Sequence, residues 1–328
     1  MRIALVEDIR PSVPFGAHVW ALTDPDTEVG VAPLADVPPE AFAVLPGLIR
    51  CRYLTTINRW STLDVAADSL LRATGGELDR SLLYREVLGP LGVVDVASVG
   101  FRDRHGLWGV LDLWRFRGDS PFSDNDLAYL SAVAPPITEA LRQCLARSFD
   151  DPTPTPRPSG PVVLFLSPEL QVLGQTPETD AYLRALLPPD ADRRPIPAGA
   201  YNVAAQLLAL EAGVDDHPAV SRVHMGGGVW LTFRAGRVDA AEPVAERNIA
   251  VTIEVTSPTD RRSLYSRSHG LSAREAELVD LLVEGADTRA IAEALFVSEH
   301  TVQDHLKSIF AKTGTRNRRT LLTRLTGH

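Results

Sequence analysis

Between Leu271 and Leu325 apolar residues recur every three or four positions, in runs separated by short polar breaks. That period is helical. Val279, Leu282 and Val283 make the first run, which ends at Gly285, a natural left-handed stop. Ser272 with Glu275 has the form of a capping box at its start, and Leu271 with Ala276 that of a hydrophobic staple. Thr288 is placed to cap a second helix that turns Ile291, Ala292 and Leu295 inward. Phe296 and Val297 form a turn, and Ser298 caps a third helix with Val302, Leu306, Ile309 and Phe310 on its apolar stripe. A fourth helix begins near Asn317 and carries Leu321, Leu322 and Leu325.

Upstream the pattern mixes periods. Pro14 to Leu22 and Val29 to Leu34 read as a hairpin around Asp24-Pro25-Asp26, followed by helical patterns at Pro39–Leu54 and Ser61–Leu70. Val93–Arg102 and Trp108–Arg117 are strong strands joined by a turn at Arg104-His105-Gly106, and Ser123 caps a long helix towards Leu145. Asp151 to Pro161 is a proline-rich linker. After it, strands at Val162–Leu166 and Leu170–Leu173 precede helices at Pro177–Leu187 and Gly199–Leu210. Strands follow at Val220–His224, Val229–Ala235 and Ile249–Val255, with Gly226-Gly227-Gly228 as a hairpin turn. Paired strands with flanking helices predict a multidomain α+β protein that ends in an all-α four-helix segment.

The C-terminal run contains LSAREAE, EGADTRAIAEAL, VSEHTVQDHLKSIFAKTG and RNR without gaps. In motif and order it resembles the LuxR/NarL-type helix-turn-helix DNA-binding domain, here over residues 266–328. The resemblance implies that the third helix enters the major groove of double-stranded DNA. A helical wheel centred on Val302 puts His300, Asp304, Lys307 and Ala311 opposite the buried stripe, with Gln303 and Thr301 beside them. Lys307 can donate to guanine or phosphate, Gln303 can pair with adenine, and Asp304 can accept from a cytosine amino group or pair locally with Lys307 or His300. Thr301, near the helix start, suits a phosphate oxygen. The expected DNA-binding set is Thr288, Arg289, Ser298, His300, Thr301, Gln303, Asp304, Lys307, Ser308, Lys312, Arg316 and Arg318. His305 is expected to pack rather than read bases. Many members of the family carry Lys and an apolar residue where this chain has Gln303 and Asp304, so their base preferences do not transfer.

The run from Ala97 to Arg142, with PFSDND at its centre, resembles the end of a GAF-type sensory domain, giving a GAF-like α+β domain over residues 1–150. Trp20, Trp60, Trp108 and Trp114 are either pocket-lining or ordinary core residues. The element order after the linker resembles a PAS-like α+β domain over residues 162–260. Together the three segments resemble transcription regulators of arginine-rich, high-GC actinobacteria. MRIALVED imitates the first strand of a receiver domain, yet Arg50 to Trp60 holds no aspartate and no lysine precedes Lys307. That removes the receiver and, with it, a Walker phosphate loop.

Charge sharpens the picture. The chain carries −9 in 328 residues, while from Glu299 onward six basic residues face only Glu299 and Asp304. A basic segment on an acidic protein is the electrostatic footprint of a phosphate-binding site. Cys51 and Cys144 offer neither a zinc set nor a disulfide framework. No G-x-S-x-G, no H-E-x-x-H and no clustered Cys/His set occur, and Asp95, Asp103 and Asp112 read as solvated surface carboxylates. No enzymatic activity and no cofactor or metal are therefore expected. With no signal-like start and no apolar run of membrane length, a cytoplasmic protein without membrane partners is expected. The resulting expectation is a sequence-specific transcription regulator, a homodimer on an inverted repeat, with an unidentified small ligand and RNA polymerase as candidate partners. Two alternatives stay open: a quorum-sensing acyl-homoserine-lactone receptor, and upstream domains that only dimerise.

Overall fold

The computed structural model describes all residues except 64, 151–161, 187–194, 239–242 and 327–328. The linker expected at 151–161 lies outside the described residues. Two compact units are found: Met1–Glu139, Arg157–Val223 and Leu231–Glu254 make the first, and Ala140–Pro156, His224–Trp230 and Val255–His328 the second.

In unit 1 a five-stranded sheet runs β2-β1-β5-β4-β3, with β1 Ala17–Thr23, β2 Gly30–Asp36, β3 Ala67–Ser69, β4 Val93–Asp103 and β5 Gly106–Phe116. Its neighbours pair antiparallel. Asp24 builds the β1–β2 turn, its Oδ1 accepting from Asp26 N at 3.0 Å, while its Oδ2 accepts from Arg222 Nε at 2.7 Å. Helices α1 Arg2–Ile9, α2 Pro39–Ala43, α3 Leu45–Leu54 and α4 Leu70–Ala73 accompany this sheet in sequence, and α5 Asp124–Arg147 follows it. A second sheet runs β7-β6-β10-β9-β8, from β6 Val163–Leu166, β7 Val172–Gln175, β8 Val220–Gly226, β9 Val229–Arg237 and β10 Ile249–Val255. Helices α6 Pro177–Leu186 and α7 Ala198–Glu211 lie between β7 and β8 in the chain. At the β8–β9 tip Gly226, Gly227 and Gly228 all take positive φ, which a side chain would resist.

Four sequence expectations change here. The helix expected over Ser61–Leu70 is instead a short turn, then β3, then α4 capped by Ser69. Ala67 and Ser69 pair with Val99 and Ala97, so a waiting sheet edge overrides local helical pattern. The single helix expected over Pro39–Leu54 breaks at Val44, because Pro46 lacks an N–H and starts α3 near its first turn. The strand-like MRIALVED is helical, as α1.

Finally, Asp95 and Asp112 are not surface carboxylates but are buried in the central strands. Asp95 accepts from the amides of Val96, Leu71 and Phe122 at 2.9–3.0 Å, and burial pushes its carboxyl up against those bonds. Strands β4 and β5 are buried along most of their length, so alternation cannot say which of their polar residues face water. Asp103 is half-buried and receives the Trp108 indole at 2.9 Å.

Unit 2 holds α8 Pro258–Ser268, α9 Ala273–Val283, α10 Thr288–Leu295, α11 Glu299–Thr313 and α12 Arg318–Thr326. Its core joins the expected Val279, Leu282, Ile291, Val302, Leu306 and Leu321 to residues that the apolar period did not mark. Leu264 and Tyr265 of α8 are fully buried there, together with Phe149 and Trp230, whose rings stack 5.0 Å apart. Helix α8 escaped the sequence reading because Arg261, Arg262 and Arg267 interrupt its apolar pattern. Arg261 is nevertheless buried, donating to Gly228 O at 2.7 Å and Arg324 O at 3.2 Å. No helix of the described residues is long and apolar enough to cross a membrane.

Candidate nucleic-acid interface

Three consecutive caps position the candidate residues. The capping box of α9 forms on both sides, with Ser272 accepting from Glu275 N and Glu275 accepting from Ser272 N. Helix α10 is capped by Asp287, not by the expected Thr288: Asp287 Oδ1 accepts from Ala290 N at 2.8 Å, and Thr288 is already the first helical residue. A carboxylate also suits the positive end of the helix better than a hydroxyl. Ser298 caps α11, accepting from Thr301 N at 3.1 Å.

Between α10 and α11 the chain turns at Phe296, left-handed at φ 53° and 95% exposed. A side chain in that conformation costs roughly 1–2 kcal/mol, and this one recovers nothing by burial. Phe296→Gly is therefore expected to stabilise unit 2 by about 0.5–1 kcal/mol in denaturant melts. A lower midpoint would show that the ring contributes something beyond backbone strain.

Freed from its expected cap role, Thr288 links three helices. Its Oγ1 accepts from Arg318 Nη2 at 2.7 Å and from Gln303 Nε2 at 3.5 Å. Candidates on α10, α11 and α12 thus meet at one point. Arg289 pairs with Glu293 on the exposed side of α10, at 3.1 Å. On α11, His300, Gln303, Asp304 and Lys307 are exposed, and Thr301 is half-buried with its hydroxyl against Ser298. Asp304 adopts the local arrangement of its two readings, 3.0 Å from Lys307 and 3.5 Å from His300. The bond from Lys307 lowers its carboxyl below the usual range. His305 is half-buried and Arg316 exposed.

Ser308 and Lys312 point elsewhere, both towards Glu275. Ser308 Oγ donates to Oε1 and Lys312 Nζ to Oε2, each at 2.6 Å, while Oε2 also accepts from Ser272 N at 2.7 Å. Glu275 is buried at 3% exposure. Burial opposes its ionisation, but Lys312, Ser308 and the Ser272 amide outweigh it and hold the carboxyl at about 2. A capping residue of α9 thereby becomes the anchor of α11. Sequence reasoning saw the cap and missed the anchor; the only hint was that Lys312 is one of two lysines in the chain.

The arrangement presents one polar helix face, backed by an apolar stripe and braced at both ends. A family model for bacterial regulatory proteins of the luxR family matches residues 269–325. The chain is similar to the Monoamine regulon transcriptional regulator of Klebsiella aerogenes, 46% identical over 54 residues, which are 16% of this chain and 24% of that protein. It is also similar to the Spore germination protein GerE of Bacillus subtilis, 42% identical over 48 residues, 15% of this chain and 65% of that protein. The chain therefore spans less than two thirds of either relative's length. Among solved structures, the sensor region of a sensor histidine kinase aligns over 77% of this chain and 89% of that one, at 14% identity and a TM-score of 0.19, too low to indicate a shared fold. Residues 269–325 form a luxR-family helix-turn-helix domain, the type whose relatives are named transcriptional regulators.

Proposed function

We propose that this chain is a sequence-specific DNA-binding transcription regulator without enzymatic activity, acting as a homodimer on an inverted repeat. The observation that carries the reading is the face of α11, where Gln303, Asp304, Lys307 and His300 stand exposed on a helix whose opposite side is anchored in the core. In this reading Gln303 and Lys307 reach base edges or phosphates, while Thr301, Arg316 and Arg318 hold the backbone. The GAF-like and PAS-like segments of unit 1 supply sensing and dimerisation.

Selection from a random DNA library tests the division of labour. Gln303→Ala is expected to relax preference at particular positions, at a cost of about 1–3 kcal/mol, whereas Thr301→Ala weakens all sites about equally. Identical site preferences for the native protein and Gln303→Ala would remove Gln303 from the base-reading set. Lys307→Ala should lower the salt slope of binding by about one if Lys307 contacts phosphate. An unchanged slope would place Lys307 with Asp304 alone.

A further inference from the structure

Unit 1 contains a cavity of about 540 Å³ that DNA recognition does not use. Its walls are apolar, with Val19, Leu34, Leu48, Leu88 and Trp114 among them, and Asn202 of α7 lines it as well. Cavities of about 300–1,000 Å³ with such walls and a few convergent polar groups are the usual form of small-molecule sites. Trp60 and Trp114 thus take the pocket-lining alternative, whereas Trp20 is fully buried against Phe101 at 5.2 Å.

The polar groups fix the chemistry of the occupant. Asp112 Oδ1 is saturated: it accepts from Ser98 Oγ at 2.6 Å, Trp60 Nε1 at 3.1 Å and Arg52 Nη2 at 3.2 Å. Among the described residues nothing donates to Asp112 Oδ2, although the residue is only 5% exposed. Arg52 balances that carboxylate, and its terminal nitrogens are spent on Asn58 O, Ser98 and Asp112. The side-chain amide of Asn202, a residue 7% exposed, likewise has no hydrogen-bond partner among the described residues, and it stands beside Gly30 with the Tyr53 hydroxyl. Neither group is fully enclosed by protein and both line the cavity, so an occupant can reach them.

We propose that this cavity binds an uncharged, mostly apolar small molecule carrying one O–H or N–H donor, which Asp112 Oδ2 accepts, with Asn202 as a second polar contact. An anion would meet the open carboxylate oxygen and find both terminal nitrogens of Arg52 engaged, while its unpartnered Nε is enclosed by protein and out of reach; a cation would bring an unbalanced charge to a pair that is already neutral. The proposal deepens the sensory reading of unit 1 and does not depend on which bases α11 reads.

The test titrates the full chain with 1-aminoanthracene, an uncharged aromatic amine that fluoresces in apolar sites. Dodecan-1-ol, dodecanoate and 1-methoxydodecane then compete with it. Saturable one-to-one enhancement is expected, with the alcohol displacing the probe about tenfold more effectively than the carboxylate or the donorless ether, the worth of one hydrogen bond. Leu48→Trp, which fills the cavity from a half-buried wall position, is expected to abolish enhancement. Asn202→Leu, which loses no hydrogen bond on folding, is expected to weaken the alcohol about 3–10-fold. Absence of saturable enhancement overturns the proposal, as do equal displacement by alcohol and ether or by alcohol and carboxylate, and native alcohol affinity in both variants. If Leu48→Trp fails to fold, the competitor ranking and Asn202→Leu decide. Operator binding is measured on the same preparation: operator binding without probe binding overturns this proposal alone, and the reverse overturns the DNA reading alone.

Discussion

Replacing Glu275 by alanine is expected to destabilise the helix-turn-helix by about 3 kcal/mol, more than any other single change on this surface. Removing one partner of a buried ion pair costs about 3–5 kcal/mol, and losing a cap about 1 more. Lys312 is one-third exposed and recovers part of that in water, which brings the figure down. Native-state hydrogen exchange on the full chain would read the change as α9 and α11 amides exchanging roughly a hundredfold faster. Protection equal to that of the native protein would show that Ser308 and Lys312 do not anchor α11. The same group sets a pH response. Its folded carboxyl lies at about 2, below the ordinary glutamate value, so its stabilisation is complete at and above that ordinary value and is lost as pH falls through about 2. Glu275→Gln removes this part of the acid sensitivity and leaves the rest.

The second large effect concerns where the DNA-binding module begins. A fragment starting at Leu271 would suffice if the four repeating helices were the whole core. It omits Leu264 and Tyr265, both fully buried, and the Arg261 bond to Arg324. Losing two core side chains costs about 2–5 kcal/mol each, a large share of the 5–15 kcal/mol that holds a small domain together. A fragment over 257–328 is therefore expected to melt cooperatively and well above one over 271–328. It should also bind a selected operator more tightly, since part of the shorter chain is unfolded. Equal melting temperatures would show that α8 rests on the module without supporting it.

Much of the candidate interface was legible because its signals are local. Ser272 with Glu275, Ser298 with Thr301, and Gly285 and Gly314 at helix ends act over three or four residues. The apolar period around Val302 and Leu306 then follows from helix geometry. What local signals could not decide is which polar side chains have distant partners. Asp287 and Thr288 are both competent caps, and only the position of Arg318, thirty residues on, shows the use made of Thr288.

By itself the sequence determined the four-helix segment, the face that α11 turns outward, and, upstream, the strand pair β4–β5 with the long helix α5 after it. Each of these is written in the period of hydrophobic residues and in caps a few residues long. Tertiary structure alone decided that Glu275 anchors α11 through Ser308 and Lys312, 33 and 37 residues away. It also decided that arginine-rich α8 belongs to the core, and that Asp95 and Asp112 lie inside a sheet whose central strands are buried along most of their length. The cavity is of the same kind, since Asn202 reaches it from a segment ninety residues beyond Asp112. Burial and partnership at such separations depend on how the elements pack, and periodicity along the chain carries no record of it.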